Sequence, residues 1–145
     1  MAQTSTYLNF ERETEAAFNF YRSVFGTEFV GEIMRHGDVP VPDGQPGPSD
    51  EDKNLIINIG LPILGGHLLM GTDVPKSMGF DLKPGNNVSL CLLPDSRGEA
   101  DALYAALAAG GEAKQPMDEA FWGDYYGDLT DRFGIQWMIN CSSKS

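Results

Sequence analysis

Polar side chains alternate with apolar ones in two short segments of the chain, 5–10 and 87–92. The polar positions are Ser5, Tyr7, Asn9, Asn87, Ser89 and Cys91. The apolar positions between them include Leu8, Phe10, Val88, Leu90 and Leu92. A period of two is typical of a β-strand, whose successive side chains point to opposite faces of a sheet. If the apolar set packs beneath a helix, the polar set lies on the opposite face, which predicts a cavity for a small molecule.

A third region, 118–131, combines aromatic and acidic side chains. Its aromatic residues are Phe121, Trp122, Tyr125 and Tyr126, interleaved with Gly123, Asp124 and Gly127. Aromatic rings suit the wall of a ligand pocket, but a strand that packs its rings into a core and a dimer interface has the same pattern, and both interpretations stay open. The neighbouring carboxylates favour plain solubility over an acid–base pair, because an acidic chain places carboxylates near any feature.

Cysteine and histidine offer few further candidates. Cys91 has no histidine at a spacing that indicates a pair, so a small buried apolar role is favoured over a nucleophile. Strand alternation places His67 on the face opposite Met70, away from the cavity. His36 adjoins a loop rich in proline and glycine, which favours a position at the surface or at the rim of the cavity. A shift of one residue in strand register would turn His67 inward.

The elements that position these residues repeat once along the chain. A strand at 5–10 and a helix at 13–25, closed by Gly26, precede strands at 27–35, 53–60 and 66–72. A strand at 87–92 precedes a helix that begins at the capping box of Ser96 and Glu99, followed by strands at 112–114, 120–129 and 135–141. We expect two βαβββ modules, 4–72 and 86–141, in one domain of 145 residues, with a mobile loop at 37–52.

Composition limits the partners and the location. The net charge of −11 argues against nucleic acid, which is bound by clustered Lys and Arg. No apolar stretch approaches the roughly 20 residues of a membrane span. The two cysteines, without a CxxC spacing, indicate a reducing cytoplasm.

Three segments together resemble the vicinal oxygen chelate superfamily: YLNFERETEAAFNFYRSVFG, HLLMGTD and FWGDYYGDLTDRFGIQWMINC. That superfamily includes glyoxalase I, bleomycin resistance proteins and extradiol dioxygenases, and the likeness is greatest to its PhnB-like branch. The resemblance implies an α+β fold in which paired βαβββ modules form a half-open eight-stranded barrel, usually in a homodimer. The branch also has a methyltransferase label, which does not suit a chain lacking a glycine-rich turn from strand to helix.

The resemblance also implies where a metal would be held. Enzymes of the superfamily use His or Glu from the first and last strands of each module, and the matching positions here fall near Ser5, at Asn87, at Met70 and at Met138. Thioethers, hydroxyls and amides bind Zn, Mn, Ni or Fe poorly. We therefore expect neither a metal nor another cofactor.

The sequence thus predicts a cytoplasmic, homodimeric protein that binds a small molecule. The expected ligand-binding residues are Tyr7, Asn9, Met70, Asn87, Ser89, Phe121, Trp122, Tyr125 and Met138. The alternative is a metal-dependent isomerase, thiol transferase or dioxygenase that recruits His67 or His36 together with carboxylates. A purely structural dimer is a third possibility. Catalytic activity is left open.

Overall fold

The computed structural model describes every residue from Met1 to Ser145 and divides the chain into two compact units, Met1–Lys83 and Pro84–Ser145. The first unit contains β1 (Thr6–Phe10), α1 (Thr14–Phe25), β2 (Met34–Arg35), β3 (Ile56–Pro62) and β4 (Leu68–Asp73). Its sheet has the order β1-β4-β3-β2. Strands β1 and β4 are parallel, whereas the other pairs are antiparallel.

The second unit repeats this arrangement. It contains β5 (Leu90–Leu92), α2 (Arg97–Ala108), β6 (Glu112–Glu119), β7 (Tyr125–Thr130) and β8 (Gln136–Cys141). Its sheet has the order β5-β8-β7-β6, with β5 and β8 parallel. The predicted α+β architecture of two βαβββ modules is therefore confirmed.

Helix α1 packs on the first sheet through a stripe that recurs every three or four residues. Its buried residues are Thr14, Ala17, Phe18 and Tyr21. The helix ends at Gly26, whose φ of 65° is left-handed and whose N–H bonds to the Arg22 carbonyl at 2.9 Å. Below the helix, a Cβ atom on Gly71 would lie 2.5 Å from the Phe18 ring, so only glycine fits at that strand position.

Helix α2 begins where the capping box predicts. Ser96 Oγ accepts a 3.1 Å hydrogen bond from the Glu99 N–H. The Glu99 carboxylate reaches back to the N–H of Asp95 at 2.9 Å, one residue earlier than in a standard capping box. The helix buries Ala100, Leu103 and Leu107 over the second sheet.

Most predicted strands have different limits, and the strand expected at 112–114 extends to Glu119. The strand expected at 27–35 is reduced to two residues because Gly31, at a φ of 69°, interrupts the extended backbone. The strand expected at 87–92 begins only at Leu90, and Val88 is 73% exposed instead of packed under the helix. In the strand expected at 120–129, residues 121–124 form a turn between β6 and β7, with Gly123 at a φ of 97°.

The segment 37–52 has no strand, as its composition predicts; it contains a short 3-10 turn at its start, His36–Asp38, and further turns at 43–44 and from residue 50 onwards. Neither helix of the chain has the length and apolarity needed to cross a membrane.

Candidate functional site

The helix-free side of the second sheet carries a row of functional side chains across three strands. Asp128 and Cys91 both lie opposite Met138, and Tyr126 lies opposite Asn140. Paired positions on adjacent strands place their side chains on the same face and within contact distance. We call Cys91, Tyr126, Asp128, Met138 and Asn140 the polar face of the second sheet.

Hydrogen bonds fix this polar face. Tyr126 Oη donates to Asp128 Oδ2 at 2.9 Å. Asn140 Nδ2 donates to Oδ2 of Asp124, at the edge of the face, at 3.0 Å. The Trp122 ring adds an apolar wall, since its centroid lies 5.7 Å from that of Tyr126 in an edge-to-face arrangement. The face therefore combines hydrogen-bonding groups with apolar surface, as small-molecule sites do.

The protonation of Tyr126 is set by its surroundings. Burial, the hydrogen bond to Asp128 and the charge of that carboxylate raise the pKa of Tyr126 to about 12. The phenol is therefore a neutral donor at physiological pH. Protein atoms that cover part of the Cys91 side chain desolvate its thiol and raise its pKa, which disfavours the nucleophilic thiolate. The expectation that Cys91 is a buried apolar residue is nevertheless wrong, because its side chain is exposed.

Tyr125, which the sequence suggested as a ligand-binding residue, lies on the other side of the sheet. Its Oη donates to Asp101 Oδ1 of helix α2 at 2.7 Å, and the Arg97 guanidinium lies 4.8 Å from its ring centroid. Tyr126 takes its place on the polar face. The alternation of side chains along the strand could have predicted this, because the buried Leu129 lies on the same face as Tyr125, whereas Tyr126 lies on the opposite face.

Phe121 and Trp122 belong to the turn between β6 and β7. Their side chains are 98% and 51% exposed, and their rings meet edge to face at 5.0 Å. Trp122 reaches the polar face through Tyr126, whereas Phe121 points into solvent. The alternative that these rings pack into the core of the unit is therefore excluded.

The first sheet has a comparable helix-free side. Tyr7 and Asn9 of β1 and Ser5, which immediately precedes it, have exposed side chains, and Tyr7 lies opposite Met70. Ser5 Oγ lies 3.7 Å from the Met70 sulfur, and Tyr7 Oη donates to Asn58 Oδ1 at 3.3 Å. Nothing in the sequence distinguishes Asn58 as a site residue, because β3 reads as a nearly continuous apolar run.

Strand pairing defines which positions of the two units are equivalent. Met70 pairs with Tyr7 and Met138 pairs with Cys91, so Tyr7 corresponds to Cys91. Two residues earlier in each unit, Ser5 corresponds to Ser89. Asn87 lies two residues before Ser89 and therefore does not correspond to Ser5. Asn87 and Ser89 are exposed and precede β5.

These positions do not fit a metal ion. The strand-paired side chains are a tyrosine, a cysteine and two methionines, and the chain contains no cluster of three or more His, Cys, Asp or Glu side chains that is arranged as a metal site. Divalent transition metals need more imidazole, thiolate or carboxylate ligands than these positions supply.

Neither histidine side chain lies on the helix-free side of its sheet. His67 Nε2 lies 2.8 Å from Thr6 Oγ1, and His67 shares its strand parity with buried Leu69, opposite Met70, as alternation predicts. Of the surface or rim position expected for His36, the surface position is wrong. Its ring is buried and its Nε2 lies 3.3 Å from the carbonyl oxygen of Asp73.

The paired βαβββ units have the fold of the glyoxalase and bleomycin resistance proteins. A structure from that family in Burkholderia phytofirmans PsJN matches 95% of this chain and 98% of its own, with a TM-score of 0.62 and 21% identity. The protein PA1353 from Pseudomonas aeruginosa is 32% identical, with a TM-score of 0.80 over 97% of this chain and 98% of its own. The PhnB protein from Bacillus cereus is 26% identical, with a TM-score of 0.72 over 97% and 99%.

The family assignment follows from the sequence comparison. Residues 2–140 match the sequence model described as 3-demethylubiquinone-9 3-methyltransferase. The chain belongs to this family, the PhnB-like branch of the vicinal oxygen chelate superfamily.

Proposed function

We propose that this protein binds a small organic molecule on the polar face of the second sheet and does so without a metal centre. The observation that carries the proposal is the pairing of Met138 with Asp128 on one side and Cys91 on the other. A thioether occupies the position at which metal-dependent members of the superfamily are expected to place a carboxylate. A ligand on this face would meet the Asp128 carboxylate, the Asn140 amide and the apolar surface of Met138 and Trp122.

The methyltransferase description of the family is not part of the proposal. Methyl donor nucleosides bind at a glycine-rich turn between a strand and a helix of a parallel, doubly wound sheet. Here the residues between β1 and α1 are Glu11, Arg12 and Glu13, and each sheet contains only one parallel pair.

The remaining expected residues enter the proposal as further ligand contacts, each within its own unit. Tyr7, Asn9 and Met70 lie on the helix-free side of the first sheet, and Asn87, Ser89 and Phe121 lie on exposed segments. Assembly as a homodimer is also proposed: a partner subunit would cover exposed apolar side chains such as Phe121, Val88 and Leu93, which are 98%, 73% and 67% exposed. A cytoplasmic location is supported by two cysteines that form no disulfide. Light scattering tests the dimer.

The binding proposal is tested with a variant that fills the face. Met138→Trp should abolish the binding of those small molecules that shift the NMR signal of the Trp122 indole in the wild-type protein, because the larger ring covers Asp128 and Cys91. Asp101→Asn, on the helix side of the same sheet, is the matched control and should retain binding. Equal binding by all three proteins would overturn the assignment of this face.

The proposal that the protein has no metal centre is tested separately. Zn, Mn and Ni should each leave the melting temperature of the wild-type protein unchanged, because a ligand stabilises a protein only through its affinity for the folded state. Stoichiometric metal in protein purified without a histidine tag would contradict it.

A further inference from the structure

A pocket of about 580 Å³ lies beside the segment 37–52 of the first unit. Its walls include Val39, Val41, Pro46, Ile57 and Met78. Three of these, Val39, Val41 and Met78, are among the exposed large apolar side chains of the chain, at 40%, 46% and 39% exposure. Apolar side chains gathered around a concavity of this size are typical of a site for a small ligand.

An ion pair and a hydrogen bond hold Asp52, which lines the pocket. The buried Asp52 accepts a hydrogen bond from Ser77 Oγ at 2.8 Å, and its other oxygen lies 2.9 Å from Arg12 Nη2. The hydrogen bond from Ser77, which has the largest effect, and the contact with Arg12 lower the pKa of Asp52. Both carboxylate oxygens are therefore already paired with protein groups, so a cationic ligand would gain little from them.

His36 supplies the open hydrogen-bonding group. Its Nε2 lies 3.3 Å from the carbonyl oxygen of Asp73. A carbonyl only accepts, so Nε2 carries a proton, and in the imidazole form of the ring the lone pair of Nδ1 can accept a hydrogen bond. Nδ1 makes no hydrogen bond within the protein and is not fully buried. It therefore keeps access to the pocket that His36 lines.

We propose that this pocket binds a neutral aromatic alcohol whose hydroxyl donates to His36 Nδ1 and whose ring packs against Val41 and the prolines. The lining contains no lysine or arginine, and the chain carries a net charge of −11, so anions are disfavoured. The proline rings offer rigid apolar surfaces that lose little conformational entropy when a flat ring packs on them. This site is separate from the polar face of the second sheet and uses none of its residues.

The experiment compares 2-naphthol, naphthalene and 2-naphthoate by equilibrium dialysis at neutral pH. Wild-type protein should bind one 2-naphthol, about three- to tenfold more tightly than naphthalene, which is the ratio expected for one net hydrogen bond. It should not bind 2-naphthoate. His36→Phe should remove the preference for 2-naphthol over naphthalene, because phenylalanine has no acceptor.

Two further variants keep the result decisive. Val41→Asp, at an exposed position, should weaken both neutral compounds at least tenfold and keep the wild-type melting temperature. Met138→Trp, which tests the proposed function in the second unit, should leave the binding of 2-naphthol unchanged. The proposal is overturned by absence of 2-naphthol binding, by equal affinity for naphthalene, by binding of 2-naphthoate, or by sensitivity to Met138→Trp in place of Val41→Asp.

Discussion

The phenol oxygen of Tyr126 donates a 2.9 Å hydrogen bond to the carboxylate of Asp128, two residues further along the same strand. The two side chains share the helix-free side because a strand repeats its faces every second residue. Burial and Asp128 together raise the pKa of Tyr126 to about 12. At neutral pH the pair is thus a phenol bonded to a charged carboxylate, which keeps further lone pairs for a ligand.

The first prediction is that Asp128→Asn lowers the pKa of Tyr126 but leaves it above the ordinary value of about 10. The substitution removes the carboxylate charge, whereas burial, the largest cause of the shift, remains. Spectrophotometric titration of each protein against its Tyr126→Phe counterpart isolates this phenol. Asp101→Asn is the control, since Asp101 bonds to Tyr125, and it should leave Tyr126 unchanged.

The same shift gives a pH dependence of stability. Because the folded-state pKa of Tyr126 is raised, its contribution is fully present below about pH 10 and is lost as the pH rises towards about 12. The free energy of unfolding of the wild-type protein should fall more steeply over that interval than that of Tyr126→Phe. Parallel curves for the two proteins would contradict the assignment.

The second prediction concerns the position of Met138. Met138→Glu would add a carboxylate in register between Cys91 and Asp128, so three metal-binding side chains would share one face. Zn should then raise the melting temperature of this variant, by an amount that grows with Zn concentration. Met70→Glu is the matched control, because Met70 pairs with Tyr7 and Gly60, which bring no strong metal ligand. An equal response of both variants would show that the Zn binds elsewhere.

Sequence periodicity was sufficient to predict both helices and the presence of most strands, because these elements have strong local signals. The stripe of Ala17 and Tyr21, the glycine at position 26 and the Ser96 cap each act over fewer than five residues. The resemblance to the superfamily supplied the pairing of the modules, which local signals do not contain.

The candidate site was harder to predict because it depends on strand parity and on backbone conformation. Phe121 and Trp122 lie in a turn at Gly123 and not in the predicted strand. The alternation of side chains along β7 places Tyr126, and not the predicted Tyr125, on the polar face. The burial of His36 depends on the Asp73 carbonyl, 37 residues away in the chain, which no local pattern reveals.

The third prediction is that protease cuts first in the segment 37–52. This segment has no strand hydrogen bonds between Val39 and Pro48, whereas its end is fixed by the contacts of Asp52 with Arg12 and Ser77. Mild proteolysis followed by mass spectrometry should place the first cleavage before Ser49, and 2-naphthol should slow it if it occupies the adjacent pocket. Amide exchange there as slow as in β4 would contradict the predicted mobility.

The last prediction concerns Asp131, which holds the turn between β7 and β8. Its buried carboxylate accepts hydrogen bonds from the Trp137 indole N–H at 2.9 Å and from the N–H groups of Phe133 and Ile135 at 2.8 and 3.1 Å. Asp131→Ala leaves these donors without their acceptor, so the free energy of unfolding should fall by about 3 kcal/mol, as expected for the loss of hydrogen bonds to a buried charged group. Urea denaturation measures the change.

Two variants separate the turn from the indole contact. Trp137→Phe removes only the indole donor along with some packing, so combining it with Asp131→Ala should cost less than the sum of the two single changes. The exposed Asp81→Ala is the control for loss of a carboxylate and should change stability by less than about 0.5 kcal/mol. Strict additivity of Asp131→Ala and Trp137→Phe would mean that the 2.9 Å bond between these residues contributes nothing measurable to folding.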